Sequence, residues 1–501
     1  MAADRVFRWR VIGGATILVF MILLAVRMGI IGLPEGGLGR EGSRATGKAA
    51  PTTPPVERDV WMNIYQQGQK IGYAHRSAGP GGEGFRIQEE IFMQVRTMGV
   101  VQGIALRTEN TLNKELALAT FSFDLKSNLF AFHARGRVAG DRLLIDTRTA
   151  GEERRYEVPL KEPVRLSQGM FTGVAAARLA PGQEITIPIF DPMTMGSRPV
   201  KLTYVGEEMK TAQGKTIPLR KYAIDFMGAR QYAWLDKEGD VVREEGMLGL
   251  ALEKTSREDA RSGVSGGAAD LTDLASVAAG RKLEDPEGLQ SLTVKLANVD
   301  VRPLALSGDR QCYDSGGLLT VRKERRGGLN PGRSGDLENR DVYMAATPFI
   351  QSSHPDVRFR VGEIVAGSAG DEEKARRIVA WVHGNIEKRP VLSVANAVET
   401  LKNRAGDCTE HAVLTAALAR AAGVPAVMEA GLVYQRGRFY YHAWNAFWLP
   451  AWGGWVTADA ALNQFPADVT HLRLVRGEAE RQLDLMGVVG RIKLEIKDMS
   501  R

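Results

Sequence analysis

"GDCTEHAVLTAALARAAGVPA", residues 406–426, decides how the C-terminal third of this chain folds. It opens on Gly406 and Asp407, places Cys408 next, and then runs apolar almost all round until Gly423 and Pro425. A helix that is apolar on every side belongs in a core. Gly and Pro beyond its last turn close it. Cys408 therefore stands at the start of a buried helix. In that place a cysteine can be a packing residue, a metal ligand, half of a disulfide or a nucleophile. The unpaired N–H groups and dipole of a helix start favour an anion, so they favour the thiolate. A thiolate is the nucleophilic form.

The flanks supply partners. Upstream, "DEEKARRIVAWVHGNIEK" (371–388) reads as a helix with Asp371 as N-cap and Ala375, Ile378, Val379, Val382 and Ile386 on one face. Pro390 stops it. Ser393 caps a second helix, "VANAVETLKNR" (394–404). Downstream come three strands, "VPAVMEAGLVY" (424–434), "FYYHAWNAFWLP" (439–450) and "WVTADAA" (455–461), joined at "QRGR" and "AWGG". Strand alternation puts His442, Trp444, Ala446 and Trp448 on one face. Folding the hairpin about "LPAW" pairs Trp448 with Gly453, Ala446 with Trp455, Trp444 with Thr457 and His442 with Asp459. Cross-strand partners share a face, so this register sets an acid beside an imidazole.

"GDCTEHAVLTAALARAAGVPA", "YYHAWNAFW" (440–448) and "GWVTADAA" (454–461), taken in that order, resemble the transglutaminase-like superfamily, a papain-like cysteine-enzyme fold. The pattern is a Cys opening a helix, a His before Ala-Trp on a strand, and an Asp on the next strand. The resemblance spans about Arg340 to Gly477. It implies that Cys408, His442 and Asp459 are catalytic and that the chemistry passes through a thioester. Two departures stand out. Ala460 follows the Asp where the family often has Pro. The side-chain oxyanion helper has no clear counterpart, with Asn396 and Trp381 as candidates.

These residues also fit competing uses. Cys408 and His411 have C-x-x-H spacing, and His442 and Asp459 could complete a tetrahedral set, but no second ligand pair exists, so no zinc is expected. No acidic loop has calcium-ligand spacing, and no cofactor is expected. Cys312, the second cysteine of two, could pair with Cys408. Glu410 reads as a salt-bridge or hydrogen-bond partner, and His411 as pointing to a polar pocket or solvent. Gln464, Asp468 and His471, in "NQFPADVTHLRL" (463–474), could line the cleft, but read more readily as a polar loop.

The chain of 501 residues is long enough for two or three domains. A charge-free run, "VIGGATILVFMILLAV" (11–26), follows Arg5, Arg8 and Arg10 and predicts an uncleaved transmembrane anchor over 9–31. It predicts a single-pass protein of a bacterial inner membrane with its body in the periplasm. Residues 32–57, rich in Gly, Pro, Ser and Thr, read as a tether. Residues 58–256 alternate in short strands and read as an antiparallel, half-barrel-like meander; similar curled envelope sheets sometimes hold lipid. Residues 257–282 form a linker, 283–339 a small strand-containing lead-in, and 340–501 the transglutaminase-like domain. The expected fold class is thus α+β, with a β-rich domain and an N-terminal transmembrane helix before the helix-plus-sheet domain. A formal net charge of +7 over this length is mild, and "VRKERRGG" (321–328) carries its own glutamate, so nucleic acid is not an expected partner.

These features together predict a membrane-anchored cysteine enzyme, a protease, amidase or transglutaminase, acting on protein or peptide substrates, cell-wall peptides among them. Hydrolysis is favoured over transfer. The alternative is a non-catalytic envelope scaffold that binds lipid or protein and carries a degenerate enzyme domain.

Overall fold

Alternation with period two governs the first half of the molecule. In "GFRIQEEIFMQVRT" (84–97), Ile87, Ile91, Met93 and Val95 are buried while their neighbours face outward. The computed structural model describes residues 58–501, except 83, 98, 116, 128–130, 150–151, 161–178, 192–195, 213, 227–228, 267–268, 328–336, 348, 390–394, 479–480 and 482. These residues fall into two compact units, one running to Leu271 and one from Thr272 to Arg501. The expected anchor (9–31), the tether (32–57) and the capping residue Ser393 lie outside the described residues.

In the first unit the strands are β1 (Arg58–Gln66), β2 (Gln69–Gly81), β3 (Gly84–Thr97), β4 (Val100–Leu112), β5 (Leu118–Ser127), β6 (Ala131–Ala139) and β7 (Arg142–Thr149). They continue as β8 (Glu152–Pro159), β9 (Glu184–Asp191), β10 (Gly196–Ala212), β11 (Lys215–Phe226), β12 (Ala229–Leu235), β13 (Val241–Glu245) and β14 (Leu250–Thr255). All fourteen pair antiparallel in one sheet, in the order β8-β7-β6-β5-β4-β3-β2-β1-β14-β13-β12-β11-β10-β9. The first and last strands are neighbours at its middle, with Trp61 opposite Thr255 and Gln66 opposite Leu250. The β12–β13 turn closes on Asp236, whose N–H donates to the Asp240 carbonyl at 3.0 Å, with Gly239 in the left-handed region at φ +81°. The guanidinium of half-buried Arg76 sits between Glu89 (2.6 Å) and Glu244 (2.7 Å). The short helix α1 (Arg257–Ala260), capped by Ser256, ends this unit.

The second unit opens with α2 (Leu271–Ala275) and β15 (Val277–Ala278). Strands β16 (Ser291–Ala297), β17 (Gln311–Tyr313) and β18 (Leu318–Arg322) come next. Then come the helices α3 (Pro355–Ile364) and α4 (Asp371–Asn385), the strand β19 (Glu387–Lys388), the helix α5 (Ala397–Asn403), the strand β20 (Ala405–Gly406) and the helix α6 (Cys408–Ala421). Strands β21 (Ala426–Gln435), β22 (Arg438–Leu449), β23 (Gly454–Ala458), β24 (Leu472–Arg476) and β25 (Lys493–Ser500) complete it. Strand β22 is the hub of the sheet behind α6, pairing with β15, β21 and β23, while β24 pairs with β21. The C-terminal strand β25 pairs with β16, in a separate sheet ordered β17-β18-β16-β25.

The fold class and two helix starts need correction. The fold class is mostly β rather than α+β, with 51% of the described residues in strands against 19% in helices. The fourteen-stranded sheet outweighs the helices, of which α3, α4 and α5 pack around α6 in the second unit. No described helix is long and apolar enough to cross a membrane. The longest, α4, has 15 residues, about 22 Å at helical rise and short of a bilayer core. Two helix starts also move. Gly370 is the N-cap of α4 and Asp371 its first helical residue, where a carboxylate still meets the positive end of the dipole. Helix α5 is capped by Asn396, whose Oδ1 accepts from the Glu399 N–H at 3.0 Å.

Candidate active site

The start of α6 is built by its own sequence. Asp407 Oδ1 accepts from the Thr409 N–H at 2.8 Å, while Glu410 Oε2 accepts from the Asp407 N–H at 2.9 Å, a reciprocal capping box. Glycine is required at 406, because a Cβ there would lie 2.3 Å from Cβ of Glu410. Cys408 follows, fully buried. Its sulfur receives the backbone N–H of Ala443, the residue next to His442, and lies 3.8 Å from the Thr409 hydroxyl. The side-chain amide of Asn445 donates to the Ala412 carbonyl at 3.0 Å, tying β22 to α6.

The thiol does not have the lowered pKa expected of a helix start. Burial, reinforced by the Asp407 carboxylate, pushes it well above its ordinary value, and the Ala443 N–H and Thr409 hydroxyl only partly oppose this. A helix dipole is worth about 0.3–1 kcal/mol in ordinary settings. Stripping water from a thiolate costs more. Burial likewise lowers the pKa of His442 against the pull of Asp459. The resting pair is therefore a neutral thiol and a neutral imidazole.

His442 and Asp459 are in contact, with Nε2 and Oδ2 2.6 Å apart and both residues buried. The expected register was displaced, however. Trp448 faces Trp455, Ala446 faces Thr457 and Leu449 faces Gly454, two residues from the expected partners. Pro450, which cannot donate to a ladder, opens a 3₁₀ turn over Pro450–Trp452 instead of sitting inside a symmetric loop. Gly453, at φ +74°, ends that turn. A shift of two residues keeps every side chain on its face, so Asp459 remains on the face of His442 as a diagonal neighbour.

A tight loop then fixes Asp459. Its backbone exchanges two hydrogen bonds of 2.9 Å with Gln464, and its Oδ1 accepts from the Leu462 N–H at 3.0 Å. The loop carbonyls are braced from outside: Lys388 Nζ donates to Ala461 at 3.1 Å, and His383 Nδ1 to Ala460 at 3.1 Å. Burial would raise the Asp459 carboxyl, but His442 and His471 outweigh it and hold the group well below its usual range.

Sequence reasoning underrated the segment after this loop. Gln464, Asp468 and His471 are not merely a polar loop; they are buried or half-buried in one hydrogen-bonded network with Asp459. His471 Nε2 lies 3.0 Å from the same Oδ2 of Asp459 that His442 holds. Its Nδ1 lies 3.3 Å from Asp468 Oδ1. The available signal was the short distance of these three residues from Asp459 along the chain. The lead-in segment also reaches the site. Glu324 Oε1 accepts from the Thr457 N–H (2.9 Å) and hydroxyl (2.7 Å). Arg310, ion-paired with Glu324 at 3.0 Å, donates to the Ala467 carbonyl at 2.6 Å and to that of His471 at 3.2 Å.

The remaining candidates have other roles. His411 is buried, not solvent-facing. Its Nδ1 donates to the Asp407 carbonyl at 2.6 Å, and burial pushes its pKa down to about 4, so it is neutral. Glu410 serves the capping box. Asn396 caps α5 and donates to Glu399, and Trp381 lies under the guanidiniums of Arg360 and Arg404. The two cysteines are unpaired, Cys312 exposed and Cys408 buried. Trp444 donates to Glu429 at 2.9 Å and packs edge-on against His471, walling the histidine pair. His442, Asp459 and His471 each offer one ligand atom, all within 4.8 Å of one another, a donor set that a divalent cation could use. Each Nε2 holds the proton of its hydrogen bond to Asp459, so a cation would have to displace both.

Comparisons with known proteins bear on this site. Among solved structures, a candidate cysteine protease from Cytophaga hutchinsonii is 16% identical over 42% of this chain and 86% of its own, with a TM-score of 0.25. A β-barrel-like protein from Brucella abortus, built from a domain of unknown function, is 9% identical over 40% of this chain and 100% of its own, with a TM-score of 0.30. No curated protein sequence matches the chain. Residues 358–460 match the model of the transglutaminase-like superfamily, a stretch that begins within α3, contains Cys408 and His442, and ends just past Asp459. The chain thus carries a domain of the transglutaminase-like superfamily.

Proposed function

We propose that this domain is a cysteine enzyme that cleaves a peptide or glutamine-type amide through a thioester. Cys408 attacks the carbonyl carbon while its thiol proton passes to Nδ1 of His442. Collapse of the tetrahedral intermediate breaks the C–N bond, and the leaving amine takes that proton from Nδ1. Water, deprotonated at the same nitrogen, then converts the thioester to a carboxylic acid and restores the thiol. An amine acceptor in place of water would form a new amide. Hydrolysis is the favoured outcome. The backbone N–H of Cys408, in the first turn of α6, has no intrahelical acceptor and supplies one oxyanion donor.

One observation carries this reading: a buried His442–Asp459 hydrogen bond of 2.6 Å on the strand whose next residue meets the Cys408 sulfur. With Nε2 donating to Asp459, Nδ1 is the nitrogen left to accept a proton. Iodoacetamide labelling followed by peptide mapping tests it. Cys408 should label faster in the wild type than in His442→Ala. Equal, slow labelling of the two proteins would sink the catalytic reading. Mass-spectrometric profiling of peptides and cell-wall fragments, incubated with wild type or Cys408→Ala, should then reveal the amide that is cut.

A further inference from the structure

We propose that His471 is a positioning residue of this site: held between Asp459 and Asp468, it fixes the Asp459 carboxylate against His442 and sets the charge that carboxylate presents. The proposal rests on the cysteine-enzyme reading and deepens it.

The geometry is that of a chain of buried groups. One oxygen, Oδ2 of Asp459, receives His442 Nε2 at 2.6 Å and His471 Nε2 at 3.0 Å. Two donors on one oxygen, and the Leu462 N–H on the other, leave the carboxylate a single orientation. His471 is in turn held from behind. Its Nδ1 faces Asp468, which accepts from the Thr470 N–H (2.8 Å), the Thr470 hydroxyl (2.6 Å) and the Gln464 amide (2.9 Å). His471 is fully buried, so water cannot replace either partner.

A ring with a carboxylate at each nitrogen can satisfy both only by carrying a proton on both. Burial works against that cation, but Asp459 and Asp468 outweigh it and hold the pKa up at about 9. The consequence falls on His442. Asp459 alone would favour imidazolium at His442; a neighbouring cation cancels part of that pull. The other groups around His442 are Cys408 on α6, which is a neutral thiol, and Lys388 on β19, which also disfavours its protonation. His411, one turn into α6, is neutral. Arg310 reaches only the backbone carbonyl of His471. His471 thus keeps His442 in the neutral form that can take the thiol proton, while keeping Asp459 aimed.

The test is ¹⁵N-histidine NMR on the full chain across pH. In the wild type, both nitrogens of His471 should be protonated at pH 7, and His442 should be protonated at Nε2 alone. The double variant His471→Gln, Asp468→Asn keeps an amide donor toward Asp459 and strands no lone carboxylate. In it the titration midpoint of His442 should rise by about one pH unit, the scale of one unit charge a few ångström away. A folded double variant with an unmoved His442 midpoint would overturn the proposal. A neutral His471 at pH 7 in the wild type would overturn it without any variant, and so decides the matter if the double variant does not fold. Stoichiometric Zn²⁺ surviving dialysis would also overturn it, since the same nitrogens would then bind the ion. Iodoacetamide labelling that ignores His442→Ala would instead remove the parent reading and leave the NMR result standing.

Discussion

His442 and Asp459 meet diagonally across the β22–β23 hairpin, not as direct partners, and still close a 2.6 Å hydrogen bond. The diagonal is possible because Asp459 stands one residue beyond the end of β23, where the ladder with β22 has stopped and the loop closed on Gln464 sets its side chain toward His442. The site is therefore sensitive to the loop that follows Asp459 as well as to the sheet that precedes it.

Replacing Asp459 with Asn should leave the fold largely intact and remove the acceptor that fixes His442 with its proton on Nε2. Turnover of any amide substrate should fall by about 10²–10⁴-fold. Labelling of Cys408 should slow toward the His442→Ala rate. An Asp459→Asn protein that labels at the wild-type rate would show that the carboxylate does not serve His442.

The buried thiol makes a specific claim about pH. Its pKa lies well above the ordinary value, so the protein holds little thiolate near neutrality. The labelling rate should climb steadily between about pH 6 and 9. A flat rate across that range, the mark of a preformed thiolate–imidazolium pair, would contradict the protonation states described above.

Stability should vary with pH through His471. Its folded value, about 9, stands above the ordinary histidine value of 6.5, so its contribution is complete below about pH 6.5 and is lost as pH rises toward 9. The difference is worth at most ~3 kcal/mol. Urea unfolding at pH 6.5 and 9 should show a loss of that sign in the wild type and a smaller one in the His471→Gln, Asp468→Asn variant. A larger loss in the variant would reverse the assignment.

The Arg310–Glu324 pair joins the lead-in segment to β23 and to the loop carrying Asp468. Both side chains are almost completely buried, so removing one strands the other. Glu324→Ala should cost roughly 3–5 kcal/mol, more than an Arg310→Met, Glu324→Leu double replacement. Urea denaturation compares the two directly. Equal losses would mean that the pair is hydrated in solution.

Gly406→Ala tests the start of α6. The added methyl would collide with the Glu410 side chain, 2.3 Å away, and open the capping box. Loss of a cap costs roughly 0.5–2 kcal/mol. Slower labelling of Cys408 alongside that loss would show that the box aims the thiol. Unchanged stability would mean that Glu410 moves aside at no cost.

Local chemistry is written in the sequence. The apolar run after Cys408, the Asp407–Glu410 pairing around the helix start, and the alternation that puts His442 and Trp444 on one face of β22 all follow from residues within a few positions of one another. The strand-and-turn rhythm of the first unit is equally local. Register parity survived an error in the turn because a two-residue shift preserves faces. Other features depended on chain returns that no local pattern encodes. The neighbourhood of β1 and β14, the pairing of β25 with β16, and the Arg310–Glu324 support all join residues far apart in sequence. The same holds for the protonation states. A helix start predicts a lowered thiol pKa, but the completeness of burial is set by the whole packed unit, and it reversed the sign. His471 is the clearest case: as a letter in a polar loop it is unremarkable, and only the folded core, by excluding water and closing a carboxylate on each nitrogen, turns it into a charged partner of Asp459.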